Sequence, residues 1–124
     1  MIRQAVETLL ATYTPDYPRD ADGDALRNVA ASGSDMSRPM LIDFAIDTGS
    51  KSIAQACLAA IEEAGFEASL YQDDDQRWSV YVPIRMIADY DGIVRTQKVL
   101  GELVAEHGGT PDGWGTFGNG EGAP

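Results

Sequence analysis

Cysteine, histidine and positive charge are all scarce in this 124-residue chain, and it has no long apolar run. Each shortage excludes something. The single thiol, Cys57, cannot form an intramolecular disulfide, which fits a reducing compartment such as the cytoplasm. The single histidine, His107, has no cysteine or second histidine near it, so the usual zinc-ligand spacings are missing. Its place in the last turn of an expected helix suits a protonated imidazole at the negative end of a helix dipole. No segment approaches the ~18 apolar residues that a membrane span needs. The first residues, Met1-Ile-Arg-Gln-Ala-Val-Glu7, interrupt their apolar positions with charge, unlike a signal peptide. A Ser/His/Asp set, a phosphate-binding glycine loop and paired metal ligands are also missing, and nothing marks a working pair of carboxylates. The expectation is a protein that is not an enzyme, with no cofactor and no metal.

What is present in quantity is negative charge. Nine Lys and Arg against twenty Asp and Glu leave a formal charge of −11. Such a surface repels phosphate backbones, so direct RNA or DNA binding runs against the electrostatic attraction that dominates it. The same charge suits a basic protein partner and fast, salt-sensitive association with it; a solvated, solubilising surface is the plainer use. The length fits one domain, which at this size buries roughly two-thirds of its unfolded surface and needs neither metal nor disulfide.

The clearest local pattern is Pro39-Met-Leu-Ile-Asp-Phe-Ala-Ile-Asp47. Ile42, Phe44 and Ile46 alternate with Asp43, Ala45 and Asp47, the period of a half-buried strand, expected over Met40–Asp47. Upstream, Ile2, Val6, Leu9, Leu10 and Tyr13 space an amphipathic helix over residues 2–13, which Pro15 and Pro18 end. Asp16–Gly23 reads as a polar linker. A second helix begins near Asp22 or Asp24, turns Leu26, Val29 and Ala30 inward, and closes at Gly33.

Downstream, Ser50 caps a helix whose buried stripe is Ile53, Cys57, Leu58, Ile61 and Ala64, stopped by Gly65. Phe66–Gln72 alternates as a strand, and Asp73-Asp74-Asp75-Gln76 makes a hairpin loop. Arg77–Ala88 is the third strand, with Trp78, Val80, Val82 and Ile84 inward and Ser79, Tyr81 and Arg85 outward. Pro83 cannot donate to a ladder, so a bulge or the end of pairing is expected there. Asp89–His107 reads as the last helix, on the stripe Ile93, Gln97, Leu100, Leu103 and Val104, and a short strand follows within Thr110–Gly118. From residue 40 the order is β-α-β-β-α-β, which is ferredoxin-like α+β with the first strand interior, beside the third.

Several clusters suggest chemistry. Asp20, Asp22 and Asp24 have the spacing that opens a calcium loop, but Ala25 and Ala31 stand where the loop needs Gly and Glu. An acidic linker capping a helix accounts for them. Cys57 lies on an apolar stripe, where an inert thiol is the ordinary outcome. Asp73, Asp74 and Asp75 form either a solvated loop or one edge of an acidic docking surface. Asp43, Asp47, Glu67, Tyr71, Tyr81 and Arg85 share the outward sheet face. Exposed tyrosines on a four-stranded sheet are superficially like an RNA-recognition motif. Here, however, acids outnumber bases three to one and no aromatic-rich RNP-like stretch occurs. That face either docks protein or is covered by the N-terminal helices.

The stretch Asp112-Gly-Trp-Gly-Thr116, in a short acidic chain with this element order, resembles the ribonuclease E inhibitor family, that of the regulator of ribonuclease activity B (RraB) domain. Gly33-Ser-Asp35 and Trp78-Ser-Val-Tyr-Val82 are similar to that family too. The resemblance covers about residues 22–119, leaving an N-terminal helix and linker over 1–21 and a disordered tail over 120–124. Better-known members carry a long acidic C-terminal tail, where this sequence has Gly120-Glu-Gly-Ala-Pro124. The resemblance implies a ferredoxin-like bacterial domain that binds a protein partner, the family being named for members that bind ribonuclease E and lower its activity. With the charge, the lone cysteine and the lack of an apolar run, the expectation is a cytoplasmic protein that touches neither nucleic acid nor membrane. A chain of charge −11 can attach to the basic, RNA-binding parts of a nuclease and compete with RNA for them.

Within the motif, Asp112-Gly113 suits a tight turn and Gly115 a close approach. Trp114 then either roofs the sheet edge or stands out as an interface anchor. The candidate partner-binding residues are Asp43, Asp47, Tyr71, Asp73, Asp74, Asp75, Tyr81, Asp112 and Trp114. The alternatives are an immunity-type or adaptor protein for an unrelated basic partner, and a small-molecule binder on the open sheet face. A sheet edge or an open face would also suit a homodimer.

Overall fold

A computed structural model describes residues 16–120 and 123; the expected helix over 2–13 and most of the 120–124 tail lie outside the described residues. The alternating segment is β1 (Pro39–Gly49), longer than its apolar core because Thr48 also turns inward, its hydroxyl donating to the Trp78 carbonyl at 2.6 Å. β1 pairs antiparallel with β3 (Trp78–Ile87) on one side and β4 (Thr110–Thr116) on the other, and β2 (Ser69–Gln72) flanks β3. The four-stranded order is β2-β3-β1-β4, the ferredoxin-like arrangement with β1 interior.

Met40, Ile42, Phe44 and Ile46 of β1 join Val80 and Val82 of β3 in one core. Three helices close it from that side: α1 (Ala21–Ala31) through Leu26, α2 (Lys51–Glu63) through Ala54, Cys57 and Ile61, and α3 (Tyr90–Val104) through Ile93, Leu100 and Val104. Each fully buried Leu, Ile, Val or Phe is worth about 1.5–3 kcal/mol relative to exposure, so the layered core dominates stability.

The helix ends follow the expected chemistry with shifts. Ser50 caps α2, accepting from the Ile53 amide at 3.3 Å. At its other end Gly65 takes φ 99, while the Gly65 amide bonds Glu62 and the Phe66 amide bonds Ile61, a Schellman closure. Ala64, expected on the buried stripe, is the exposed C-cap residue, and Ala54 is buried instead. α1 begins earlier than expected, because Asp20 rather than Asp22 or Asp24 caps it. Tyr17 is buried in the core, so the packed unit includes residues that the expected boundary assigned to the linker. Asp89 caps α3, which stops at Val104; Ala105–His107 tightens to a 3-10 turn, and Gly108 reverses the chain at φ 91.

Two strands differ from expectation. β2 has four residues instead of seven, because the Phe66 amide is already used in closing α2 and Phe66 and Ala68 pack on the core outside any ladder. Pro83 neither bulges nor ends β3; it sits in register opposite Asp43. β2 ends opposite Tyr81, so at Pro83 one side of β3 is already an edge and a missing N–H costs no ladder bond there.

The β4 entry is packed tightly against the core. A Cβ on Gly109 would lie 2.7 Å from Cys57 Sγ and 2.9 Å from Val104 Cβ, both in the core. Gly109→Ala should therefore destabilise the fold by about 1–3 kcal/mol in urea unfolding. Gly120→Ala, at a position with open space around it, should leave the midpoint unchanged.

Candidate functional site

Because all three helices lie on one side of the sheet, no helix among the described residues covers the other. That open face presents Leu41, Asp43, Ala45 and Asp47 from β1, each partly exposed, with Ser79, Tyr81, Pro83 and Arg85 from β3 in register beside them. Tyr71 of β2 is 51% exposed and meets Tyr81 edge-to-face, ring centroids 5.5 Å apart. Asp47 holds Arg77 through both carboxylate oxygens at 2.9 Å, and this pairing raises the Arg77 pKa.

β4 completes the face through a bulge at Asp112-Gly113, where a tight turn is expected from sequence. In register, Phe44 faces Trp114 and Asp43 faces Gly115, but Ile46 faces Pro111. Asp112 and Gly113 therefore stand together opposite Ala45, a β-bulge, and Gly113 supplies the left-handed backbone at φ 89. With period two, residues 111 and 114 would point to opposite faces. The extra residue puts both Pro111 and Trp114 on the helix side and leaves Asp112 for the open face.

Trp114 accordingly packs against the core, and its indole N–H donates to Asp22 at 2.9 Å. Gln97 donates to both Asp22 oxygens at 3.2 Å, so one carboxylate ties together α1, α3 and β4. This packing is that of a sheet-edge roof, and Trp114 also borders the groove on the open face. The other two carboxylates of the calcium-like spacing have separate partners. Asp20 accepts from the Gly23 amide at 2.8 Å and from the Tyr90 hydroxyl; Asp24 pairs with Arg27. Among the described residues no cluster of three or more His, Cys, Asp or Glu is placed to hold a metal.

The hairpin acids divide in the same way. Asp73 turns inward and accepts from the amides of Asp75 and Arg77 at 2.9 Å, so it builds the loop. Asp74 and Asp75 are exposed at the tip. Cys57 is buried, and desolvation raises its pKa, which keeps it a thiol. The Gly33-Ser-Asp35 loop is held by Asn119, whose side chain bonds the Asp35 amide at 2.8 Å and the carbonyls of Asp35, Arg38 and Pro39. Sequence reasoning missed Asn119, Tyr90 and Phe117. Phe117 follows β4, is 83% exposed, and borders a groove of about 380 Å3 on the open face with Asp43, Ala45, Tyr81, Asp112 and Thr116.

The fold and this face define a ferredoxin-like α+β protein with an acidic, aromatic-flanked open sheet. The chain belongs to the RraB family: the sequence model of that family, described as Regulator of ribonuclease activity B, matches residues 19–116, most of the chain. No curated protein matches it. Among the described residues no helix is long and apolar enough to cross a membrane.

Two measurements test the clamps behind this face. Trp114→Phe removes a hydrogen bond to a charged acceptor and should cost about 1–3 kcal/mol in urea unfolding, whereas Asp22→Asn, which keeps an acceptor oxygen, should cost less. The Tyr90 hydroxyl and Gly23 amide lower the Asp20 pKa from its ordinary 3.8, and the same carboxylate raises the Tyr90 pKa from 10.0. The Asp20–Tyr90 stabilisation is thus present above about 3.8 and lost as pH falls further, and present below about 10.0 and lost as pH rises further. The stability gap between wild type and Tyr90→Phe should be widest between those limits and close outside them.

Proposed function

We propose that the protein is a non-catalytic cytoplasmic regulator that docks on ribonuclease E and lowers its cleavage of RNA. The observation that carries this reading is family membership across the α+β unit. The charge supports it, since a −11 chain is attracted to the basic surfaces with which a nuclease holds RNA and repelled by RNA itself. The open sheet face is the docking surface in this proposal, with Asp43, Asp47, Tyr71, Tyr81 and Asp112 on it and Asp73, Asp74 and Asp75 at its hairpin rim. Trp114 acts from behind by fixing the β4 bulge that presents Asp112. In this proposal residues 22–119 carry the regulatory function, with Tyr17, Asp20 and Ala21 packed onto them.

Binding through complementary charge has a salt signature, because exposed charges separated by more than about 8 Å are screened at physiological ionic strength. In a ribonuclease E cleavage assay the purified protein should inhibit stoichiometrically at low salt and progressively less as salt rises. No inhibition at either salt by folded protein would contradict the reading.

A further inference from the structure

The groove on the open face lies where β1, β3 and the bulge of β4 meet. We propose that it binds the guanidinium group of an arginine carried on an extended basic segment of a partner protein. The inference rests on the protein-binding reading above and narrows it to one side-chain class at one place.

Four features of the groove select that ligand. Asp43 enters from β1 and Asp112 from the bulge; neither has a cation within ion-pair distance among the described residues, and Arg77, held by Asp47, interacts with Asp112 only at longer range. The neighbouring carboxylate, Asp47, is already held by Arg77, and Arg85 sits opposite Leu41 without pairing to Asp43. Ala45, the smallest open-face side chain of β1, stands between Tyr81 and the bulge and leaves the space open. Aromatic rings flank it: Tyr81, braced edge-to-face by Tyr71, and Phe117, which is 83% exposed. Carboxylates beside aromatic faces suit a planar, weakly hydrated cation that can hydrogen-bond in its plane and stack on its faces. An ammonium group satisfies the charge but not the stacking. The excess of eleven negative charges adds long-range attraction for a basic segment and repels an acidic one.

The test uses the full chain and a labelled peptide alternating arginine with serine, alongside its lysine and citrulline counterparts. Two double variants carry the same charge change: Asp43→Asn with Asp112→Asn in the groove, and Glu63→Gln with Glu102→Gln on the exposed helix side. Circular dichroism and urea midpoints establish that each is folded. The arginine peptide should bind more tightly than the lysine peptide, and the citrulline peptide should not bind. The groove variant should weaken arginine-peptide binding about tenfold or more, and the helix-side variant by less than about twofold. Phe117→Ser should also weaken it and narrow the arginine–lysine difference.

Equal losses in the two double variants would mean diffuse charge attraction and overturn the proposal. So would an arginine peptide that fails to bind wild type, or a self-association abolished by Phe117→Ser with no peptide binding, which would make a second copy of this chain the occupant. Run in parallel, the nuclease assay separates the two claims. A groove variant that inhibits ribonuclease E like wild type would overturn the groove as the docking point while the regulatory reading stands. Groove-dependent peptide binding by a protein that does not inhibit the nuclease would sustain the groove and overturn the ribonuclease reading.

Discussion

A strand that alternates Ile42, Phe44 and Ile46 with Asp43, Ala45 and Asp47 can bury only one of its faces. Nearly everything else in the structure answers that constraint. Because β1 is central, β3 and β4 inherit its division into faces through register, with Val80 and Val82 on the apolar side and Tyr81 and Asp112 on the other. All three helices are drawn to the apolar side by the same burial. The carboxylates of β1 lie on the partly exposed face, in contact with water.

A sheet face that no helix among the described residues covers is useful for binding only if it holds its shape, and the hydrogen bonds behind it do that. Asp22 joins Trp114 to Gln97, Asp20 joins α1 to Tyr90, and Asn119 fastens the loop ahead of β1 to the chain after β4. The acidic residues therefore fall into two groups. One set holds helix starts, turns and the sheet edge; the other, with Asp43, Asp74, Asp75 and Asp112, is left facing solvent. A pre-ordered acidic face suits recognition of a basic protein.

Much of this could be read directly from residues. β1, the Ser50 cap, the Gly65 stop and the Asp73 hairpin are local signals, complete within a few positions, and each appears where the pattern places it. The shortness of β2 was hidden because the Phe66 amide goes to a helix carbonyl, which alternation cannot reveal. The side of the sheet on which Trp114 lies depends on one extra residue at Asp112-Gly113, and its partner Asp22 is 92 positions away. Nothing in a window around either residue reports that bond. Pro83 misled for a related reason, since its cost depends on whether β2 reaches it. The candidate site was legible as a set of outward residues, but its groove, made by the bulge, Ala45 and Phe117, required the fold.

The central claim is that the open sheet face, rather than the helical side, meets the partner. Amide chemical-shift mapping of isotope-labelled protein on addition of ribonuclease E tests it most directly. The account predicts shifts concentrated in Asp43–Asp47, Ser79–Arg85 and Asp112–Phe117, with α2 and α3 little changed. Shifts centred on α2 and α3, with those strands unmoved, would contradict it.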